Sequence, residues 1–192
     1  LIPSISTIAP YGTDPFFERL IDVKNKVYTR GGFQLQFSIH TTDSKLRDEL
    51  IPVKKWNFKQ MADFGEKYFQ SGDRKITLNF ALAENSPVDP QVLLENFDPT
   101  RFLIKITPLN PTYQAVSTGL RSYVDPANEM ESYPVVEAIR EAGYQVILSI
   151  GEQEENQIGS NCGQYVQKHI LETGGLSAGY SYQVMQPTAK PE

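Results

Sequence analysis

Short β-rich runs alternate with helical patterns along this chain, and that alternation constrains its fold more than any other feature. Runs rich in branched and aromatic residues predict five strands, at Ile2–Ile8, Gln34–His40, Lys75–Leu82, Phe102–Thr107 and Tyr144–Ile150. The last four contain alternating or nearly continuous apolar stretches, which are typical of buried parallel strands.

Three helices are predicted from their end signals and their apolar spacing. Asp14 and Pro15 form an N-cap and N1 pair, and Tyr133-Pro134 begins another helix that stops at Gly143. Asn57 is predicted to cap a helix that ends at Ser71-Gly72-Asp73 and turns four residues inward: Met61, Phe64, Tyr68 and Phe69. Strands separated by helices imply an α/β fold with a parallel sheet and flanking helices.

Ligands of such folds bind at the carboxyl ends of the strands. Four of the five predicted ends carry small hydroxyl or amide groups, including Ser6, Ser38 and Asn110. Groups of this kind suit a polar organic ligand that is held by hydrogen bonds.

Composition restricts the class of protein. The 192 residues include 18 Lys plus Arg against 23 Asp plus Glu, a net charge of −5 that argues against a surface dominated by polyanion binding. One cysteine cannot form an internal disulfide, and no apolar run approaches the ~18 residues of a membrane span. We therefore expect a soluble cytoplasmic protein with one domain over residues 1–180 and a frayed tail over 181–192.

Several common catalytic motifs are absent from the sequence. There is no phosphate-binding glycine motif and no Gly-x-Ser-x-Gly nucleophile elbow. A Cys/His zinc site is excluded, because the chain has one cysteine and only His40 and His169. These absences remove the usual nucleotide-binding, kinase and hydrolase interpretations.

The single cysteine, Cys162, has two interpretations. It lies in Gly159-Ser160-Asn161-Cys162-Gly163, where a polar loop leads into a predicted helix. A helix N-terminus stabilises a thiolate, so Cys162 is a candidate nucleophile. Alternatively it is a small apolar residue buried under a turn.

Two other features also remain open. His40 is either a base at the end of its strand or a residue that caps the strand end through backbone contacts. The acidic stretch 151–156 is either a carboxylate cluster for metal binding or proton transfer, or a solvated loop.

Four strand-end motifs in fixed order resemble the RlmN and Cfr family of radical S-adenosylmethionine enzymes, which methylate an adenine carbon in ribosomal RNA. The motifs are Ser6-Thr7-Ile8-Ala9-Pro10, Phe37-Ser38-Ile39-His40-Thr41 with Leu46-Arg47-Asp48-Glu49-Leu50-Ile51-Pro52, Leu109-Asn110-Pro111, and Asn161-Cys162-Gly163-Gln164. The resemblance implies the C-terminal part of a partial (β/α) barrel. It also implies that S-adenosylmethionine is bound by residues Ser6, Ser38, Ile39, His40 and Asn110.

The resemblance further implies that Cys162 carries a methyl group. In the family this cysteine takes a methyl from one S-adenosylmethionine, and a radical made from a second activates that methyl for attack on the aromatic carbon. An N-terminal Cys-x-x-x-Cys-x-x-Cys loop holds the 4Fe-4S cluster that makes the radical. With one cysteine, this chain cannot bind that cluster itself, so we expect it to be a C-terminal piece of a longer enzyme and to be inactive on its own in methyl transfer to a substrate.

The substrate stays open at this point. Ribosomal or transfer RNA is the partner that the resemblance implies, but acidic residues 151–156 stand where the family carries an arginine-rich stretch. The alternatives are a related enzyme with a non-RNA substrate and a non-catalytic nucleoside-binding domain. We expect no membrane partner, and we expect self-association through an exposed sheet edge.

Overall fold

The computed structural model describes residues 2–109, 119–125 and 133–149. The strands in these ranges are β1 (Ser4–Thr7), β2 (Gln34–Ser38), β3 (Ile76–Leu82), β4 (Phe102–Pro108) and β5 (Val146–Leu148). The helices are α1 (Asp14–Val27), α2 (Ser44–Leu50), α3 (Phe58–Tyr68), α4 (Pro90–Asn96) and α5 (Pro134–Glu141). None of these helices is long and apolar enough to cross a membrane.

The strands form one parallel sheet in the order β1-β2-β3-β4-β5. Because each strand lies beside the preceding one and crossover connections are right-handed, the helices between the strands are placed on the same face. This confirms the predicted α/β fold with parallel strands and flanking helices. A sheet wound in one direction is also consistent with part of a (β/α) barrel of the radical S-adenosylmethionine type.

The hydrophobic core lies between this face and the helices. Phe37 of β2 contacts Phe17 of α1, Phe64 of α3 and Trp56, with ring centroids 6.1–6.5 Å apart. Burying one such aromatic side chain contributes roughly 1.5–3 kcal/mol. The aromatic cluster therefore fixes α1 and α3 against β2, whose carboxyl end belongs to the candidate site.

Helix α3 packs unusually close to the sheet at Gly65. A Cβ atom built on this glycine would overlap the Phe102 ring of β4 and lie 3.2 Å from Ile76 Cδ1 of β3. Only glycine lets the helix backbone approach these strands so closely.

A buried cation links α1 to the segment after α3. Lys24 forms an ion pair with Asp73 and donates a second hydrogen bond to the Tyr68 carbonyl oxygen at 2.8 Å. Its ammonium also lies 4.6 Å from the centroid of the Tyr68 ring. These contacts compensate for the cost of burying the lysine charge.

The helix predictions are confirmed with some corrections. Asn57 caps α3 in a reciprocal capping box with Gln60, but the helix ends at Tyr68 and leaves Phe69 half-buried at its C-cap. Asp14 was predicted to be the N-cap of α1. The N-cap is instead Thr13, and Asp14 is the first helical residue.

The strand ends differ from the prediction by one or two residues. The difference that concerns the candidate site is at β2, which ends at Ser38 rather than at His40. His40 has a φ of +68°, which an extended strand cannot accommodate. Ile150, the predicted end of the fifth strand, lies outside the described residues.

Candidate functional site

The sheet face opposite the helix-packed core is polar. Side chains of a strand alternate between the two faces, so the register identifies the residues that share this face. Ser6, Gln36 and Thr77 align across β1, β2 and β3, and one step nearer the carboxyl ends Ser38, Asn79 and Lys105 align across β2, β3 and β4. Hydroxyl, amide and ammonium groups thus occupy the middle of a parallel sheet.

Ser6 and Ser38, two predicted cofactor-binding residues, lie on this polar face. Ser6 is exposed on β1, and Ser38 is half-buried on the adjacent β2, two residues beyond the partner of Ser6. Strand spacing and rise place their Cα atoms about 8 Å apart. The structure therefore brings these two residues to one side of the sheet.

Ile39 lies in the same predicted motif but faces the other way. Its side chain is fully buried in the hydrophobic core, and its backbone N–H donates to the Asn79 carbonyl oxygen at 2.9 Å. Only the carbonyl of Ile39 is left for a ligand, so any role of this residue in binding belongs to its backbone.

His40 interacts with the backbone of the neighbouring strand. Its Nδ1 accepts a hydrogen bond from the Ala81 N–H at 3.2 Å. An accepting Nδ1 has no proton, so the neutral ring carries its proton on Nε2. The contact agrees with the backbone-capping interpretation of His40, and Nε2–H is left to donate to a ligand.

Burial keeps His40 neutral. Removal of the imidazole from water lowers its pKa below the usual 6.5, and the positive charge of Arg47 lowers it further. His40 is therefore a hydrogen-bond donor and a weak base at this strand end.

Arg47 of α2 is a buried cation behind the β2 end. Its Nη1 donates to the Trp56 carbonyl oxygen at 2.9 Å, and its guanidinium carbon lies 5.5 Å from the centroid of the Phe58 ring. Burial lowers its pKa to about 10, against a small opposing effect of Asp48. The sequence motif contains this arginine but did not suggest a role for it.

The loop after β2 is fixed by hydroxyl groups. Thr41 Oγ1 donates to the Pro87 carbonyl oxygen at 2.8 Å, and Thr42 Oγ1 accepts from the Asp89 N–H at 2.8 Å. Asp43 then caps α2, and Asp89 caps α4. The β2 end is thus held to the segment that follows β3, which gives the candidate site a rigid wall.

A cavity of about 370 Å³ opens at the carboxyl end of β3. Its wall is mainly apolar, with Leu82 of β3, Tyr123 and Val135 of α5 among the lining residues. Glu84 also lines it and forms an ion pair with Arg121 at 3.1 Å. A cavity in this position agrees with the general location of ligand sites in parallel sheets.

Two further polar residues of this face, Asn79 and Lys105, were not among the predicted site residues. Asn79 has a buried side-chain oxygen, Oδ1, without a hydrogen-bond partner. Lys105 is half-buried in the middle of β4. The signal was present in the sequence, because Asn79 and Lys105 are the polar interruptions of otherwise apolar strands.

The remaining predicted positions cannot be placed. Asn110, Cys162 and the acidic stretch 151–156 lie outside the described residues, as does the predicted tail 181–192.

The polar face fits the adenosyl cofactor and not the iron–sulfur cluster. The unpartnered Asn79 oxygen, the Ser38 hydroxyl and the His40 Nε2–H supply the short donors and acceptors that a ribose and an amino-acid group need. A cluster of four irons needs several thiolates, and this chain has one cysteine. Among the described residues, no group of three or more His, Cys, Asp or Glu is placed to hold a metal ion.

Known proteins resemble this chain over most of its length. It is 28% identical over 162 residues to the probable dual-specificity RNA methyltransferase RlmN of Thermobifida fusca. It is 27% identical over 164 residues to the protein of the same name from Streptomyces griseus, and 25% identical over 172 residues to that from Mycolicibacterium smegmatis. Each comparison covers 82% of this chain.

The chain spans about 40% of the length of these curated relatives. No protein-family profile matches it, and no solved structure matches it significantly. The relatives nevertheless confirm the resemblance that the strand-end motifs predict. Over about four-fifths of its length, this chain is similar to RNA methyltransferases of the RlmN type.

Proposed function

We propose that this chain is the adenosyl-binding part of a cytoplasmic radical S-adenosylmethionine enzyme that methylates an aromatic carbon of RNA. The observation that carries the proposal is the coincidence of two independent features. The chain is similar to RlmN over 82% of its length. Ser6 and Ser38 of the family-like motifs lie on one polar side of the sheet, and His40 lies at the adjoining end of β2.

We take the cofactor contacts from the family-like motifs, and the geometry of the polar face supports them. The Ser6 and Ser38 hydroxyls and the Ile39 carbonyl are offered to the ribose and the amino-acid group, and His40 donates from Nε2. Asn110 adds an amide after β4. The 4Fe-4S cluster, when bound, supplies the radical chemistry, and its thiolate ligands come from outside this chain.

Cys162 is the methyl carrier in this proposal. Its thiol loses a proton to solvent, and the thiolate sulfur attacks the methyl carbon of the sulfonium. A carbon–sulfur bond forms at Cys162, the bond to the cofactor sulfur breaks, and S-adenosylhomocysteine leaves. The step is a polar displacement that needs no oxidant or reductant.

Mass spectrometry of the Cys162 peptide tests this role. The full chain is incubated with S-adenosylmethionine that carries a trideuterated methyl group, and we expect that group on Cys162. The Cys162→Ala variant is the control, since it should bind S-adenosylhomocysteine as the wild type does. An unlabelled Cys162 in protein that binds S-adenosylhomocysteine would favour a non-catalytic nucleoside-binding domain.

RNA is the proposed substrate because the relatives are named as RNA methyltransferases. The net charge of −5 favours instead a related enzyme with a non-RNA substrate. Binding of an adenine-containing RNA hairpin, measured by fluorescence anisotropy across a salt series, distinguishes the two. An RNA enzyme should lose affinity steeply as salt rises, because bound phosphates release counterions. Absence of binding at low salt would contradict RNA as the substrate.

A further inference from the structure

Among the strand residues that the structure describes, the polar face of the sheet contains one cation, Lys105. By register, the strand residues on this face are Ser4, Ser6, Gln34, Gln36, Ser38, Thr77, Asn79, Ala81, Leu103, Lys105, Thr107 and Ile147. Lys105 is the only ionisable residue among them. The face therefore has a positive centre in the middle of β4.

Lys105 has no partner within the part of the chain that the structure describes. Among the described residues, no carboxylate forms an ion pair with its ammonium, and no acceptor receives its hydrogen bonds. The other cations of the sheet and its surroundings behave differently: Lys24 pairs with Asp73, and Lys75 donates to the Pro99 carbonyl oxygen at 2.8 Å. The ammonium of this half-buried lysine is therefore available to an acceptor that a ligand supplies.

A second unpartnered group adjoins it. Asn79 is the register partner of Lys105 on β3, and its buried Oδ1 has no donor. On the other side of Asn79, Ser38 is its register partner on β2. With strands about 4.8 Å apart, this row extends about 10 Å from the serine to the lysine. One ligand can therefore contact a hydroxyl at one end of the row and a cation at the other.

We propose that Lys105 binds an anionic group, a carboxylate or a phosphate, of the organic ligand that occupies this face, with Asn79 as its neighbouring polar contact. The inference rests on the proposed function in taking the polar face as the adenosyl-binding side. The new element is that the bound molecule has an anionic group, which is directed toward Lys105 on β4. The ammonium of a lysine is a single charge at the end of a flexible side chain. It can bind either a carboxylate or a phosphate, because an ammonium does not require the bidentate geometry that an arginine forms with these anions.

Calorimetric titration of the full chain tests the proposal with four probes. S-Adenosylhomocysteine carries a carboxylate beside an ammonium, adenosine 5′-monophosphate carries a phosphate, adenosine carries neither anion, and inorganic phosphate lacks the nucleoside. Wild-type protein should bind at least one of the two nucleosides that contain an anionic group about tenfold or more tightly than adenosine. The carboxylate and phosphate probes identify which anion the site takes.

Three variants show whether Lys105 causes that preference. Lys105→Met should reduce it to less than about twofold, while adenosine binding is unchanged. Lys105→Arg keeps the charge and should keep the preference. Asn79→Asp places a carboxylate beside the ammonium and should abolish the preference without removing the lysine. Lys67→Met, at an exposed position of α3, is the matched control and should bind all probes as the wild type does.

The outcomes separate the two proposals. Equal binding of adenosine and of both nucleosides that contain an anionic group would overturn the role of Lys105 and leave the adenosyl site intact. A preference for these nucleosides that survives in Lys105→Met would have the same consequence. Lysine-dependent binding of inorganic phosphate without any adenosine binding would support the anion site and contradict the proposed function. Absence of binding of every probe to folded wild-type protein would contradict both.

Discussion

At the scale of single residues, His40 connects the stability of the fold to the chemistry of the site. Its left-handed backbone turns the chain out of β2, and its Nδ1 accepts the Ala81 N–H of β3. That hydrogen bond requires an unprotonated Nδ1. The observed conformation of the His40 ring is therefore stable only while the ring is neutral.

Replacement of His40 by asparagine should flatten the dependence of stability on pH. Burial, aided by Arg47, lowers the pKa of His40 below 6.5, so the unfolded chain takes up the proton more readily than the folded one. The stabilisation is present above the usual pKa and is lost as the pH falls through the lowered pKa. Urea unfolding between about pH 7.5 and 5 measures how the free energy of unfolding depends on pH. Asparagine is chosen because it tolerates the positive φ of this position. A parallel pH profile in the variant would contradict the argument, since His169 is common to both proteins.

Replacement of Arg47 by methionine should raise the pKa of His40. The variant removes the positive charge that disfavours protonation but leaves the burial, which is the larger cause. The pKa should therefore rise and still remain below that of an exposed histidine. NMR titration of the His40 imidazole proton gives the value directly. An unchanged or lower pKa would show that Arg47 does not act on this ring through its charge.

At the scale of elements, the close contact of α3 with β3 and β4 depends on Gly65. Gly65→Ala adds a methyl group that overlaps the Phe102 ring, and such overpacking costs about 1–3 kcal/mol. Alanine favours a helix by about 1 kcal/mol over glycine, so the net effect should be a destabilisation of up to about 2 kcal/mol. Denaturant unfolding measures it.

A second substitution identifies the cause of that loss. In the Gly65→Ala background, Phe102→Leu removes the overlapping ring atoms, so the double variant should lose less stability than the sum of the two single changes. Strict additivity, or a Gly65→Ala protein as stable as the wild type, would show that the helix moves away from the strand at little cost.

The elements also show what local sequence can predict. The α3 helix was predicted because Asn57 and the spacing of Met61 and Phe64 both identify it. The α2 and α4 helices were missed because each has only seven residues, too few to establish an apolar period. Their Asp43 and Asp89 caps are local signals, but a capping residue alone also fits a turn.

At the scale of the whole molecule, the alternation of strands and helices predicted the parallel sheet. The strand-end motifs predicted Ser6, Ser38 and His40 as cofactor-binding residues, and of these Ser6 and Ser38 share one face of the sheet. The row of Ser38, Asn79 and Lys105 could not be predicted, because it depends on the register between strands that are distant in sequence. The inward direction of the Ile39 side chain follows from the same alternation, and it restricts that residue to backbone contacts.

We expect the chain to self-associate in solution. In the described part of the sheet, β1 and β5 are the edge strands, and isoleucines beside or within them are exposed: Ile2 by 46% and Ile147 by 41%. Unpaired strand edges with apolar side chains pair readily with another chain. Light scattering across a concentration series should give a mass above 21.6 kDa, and Ile2→Lys with Ile147→Lys should lower it. A monomer at high concentration would contradict the expectation.

We expect the carboxyl end of β2 and the polar face beside it to bind an adenosyl ligand. Backbone amide NMR of the full chain, titrated with S-adenosylhomocysteine, tests this binding residue by residue. We expect saturable shifts at Ser38, His40 and Thr41 and at Asn79 and Lys105, with little change on the exposed faces of α1 and α3. An absence of shifts at millimolar ligand, or shifts confined to other parts of the molecule, would contradict it.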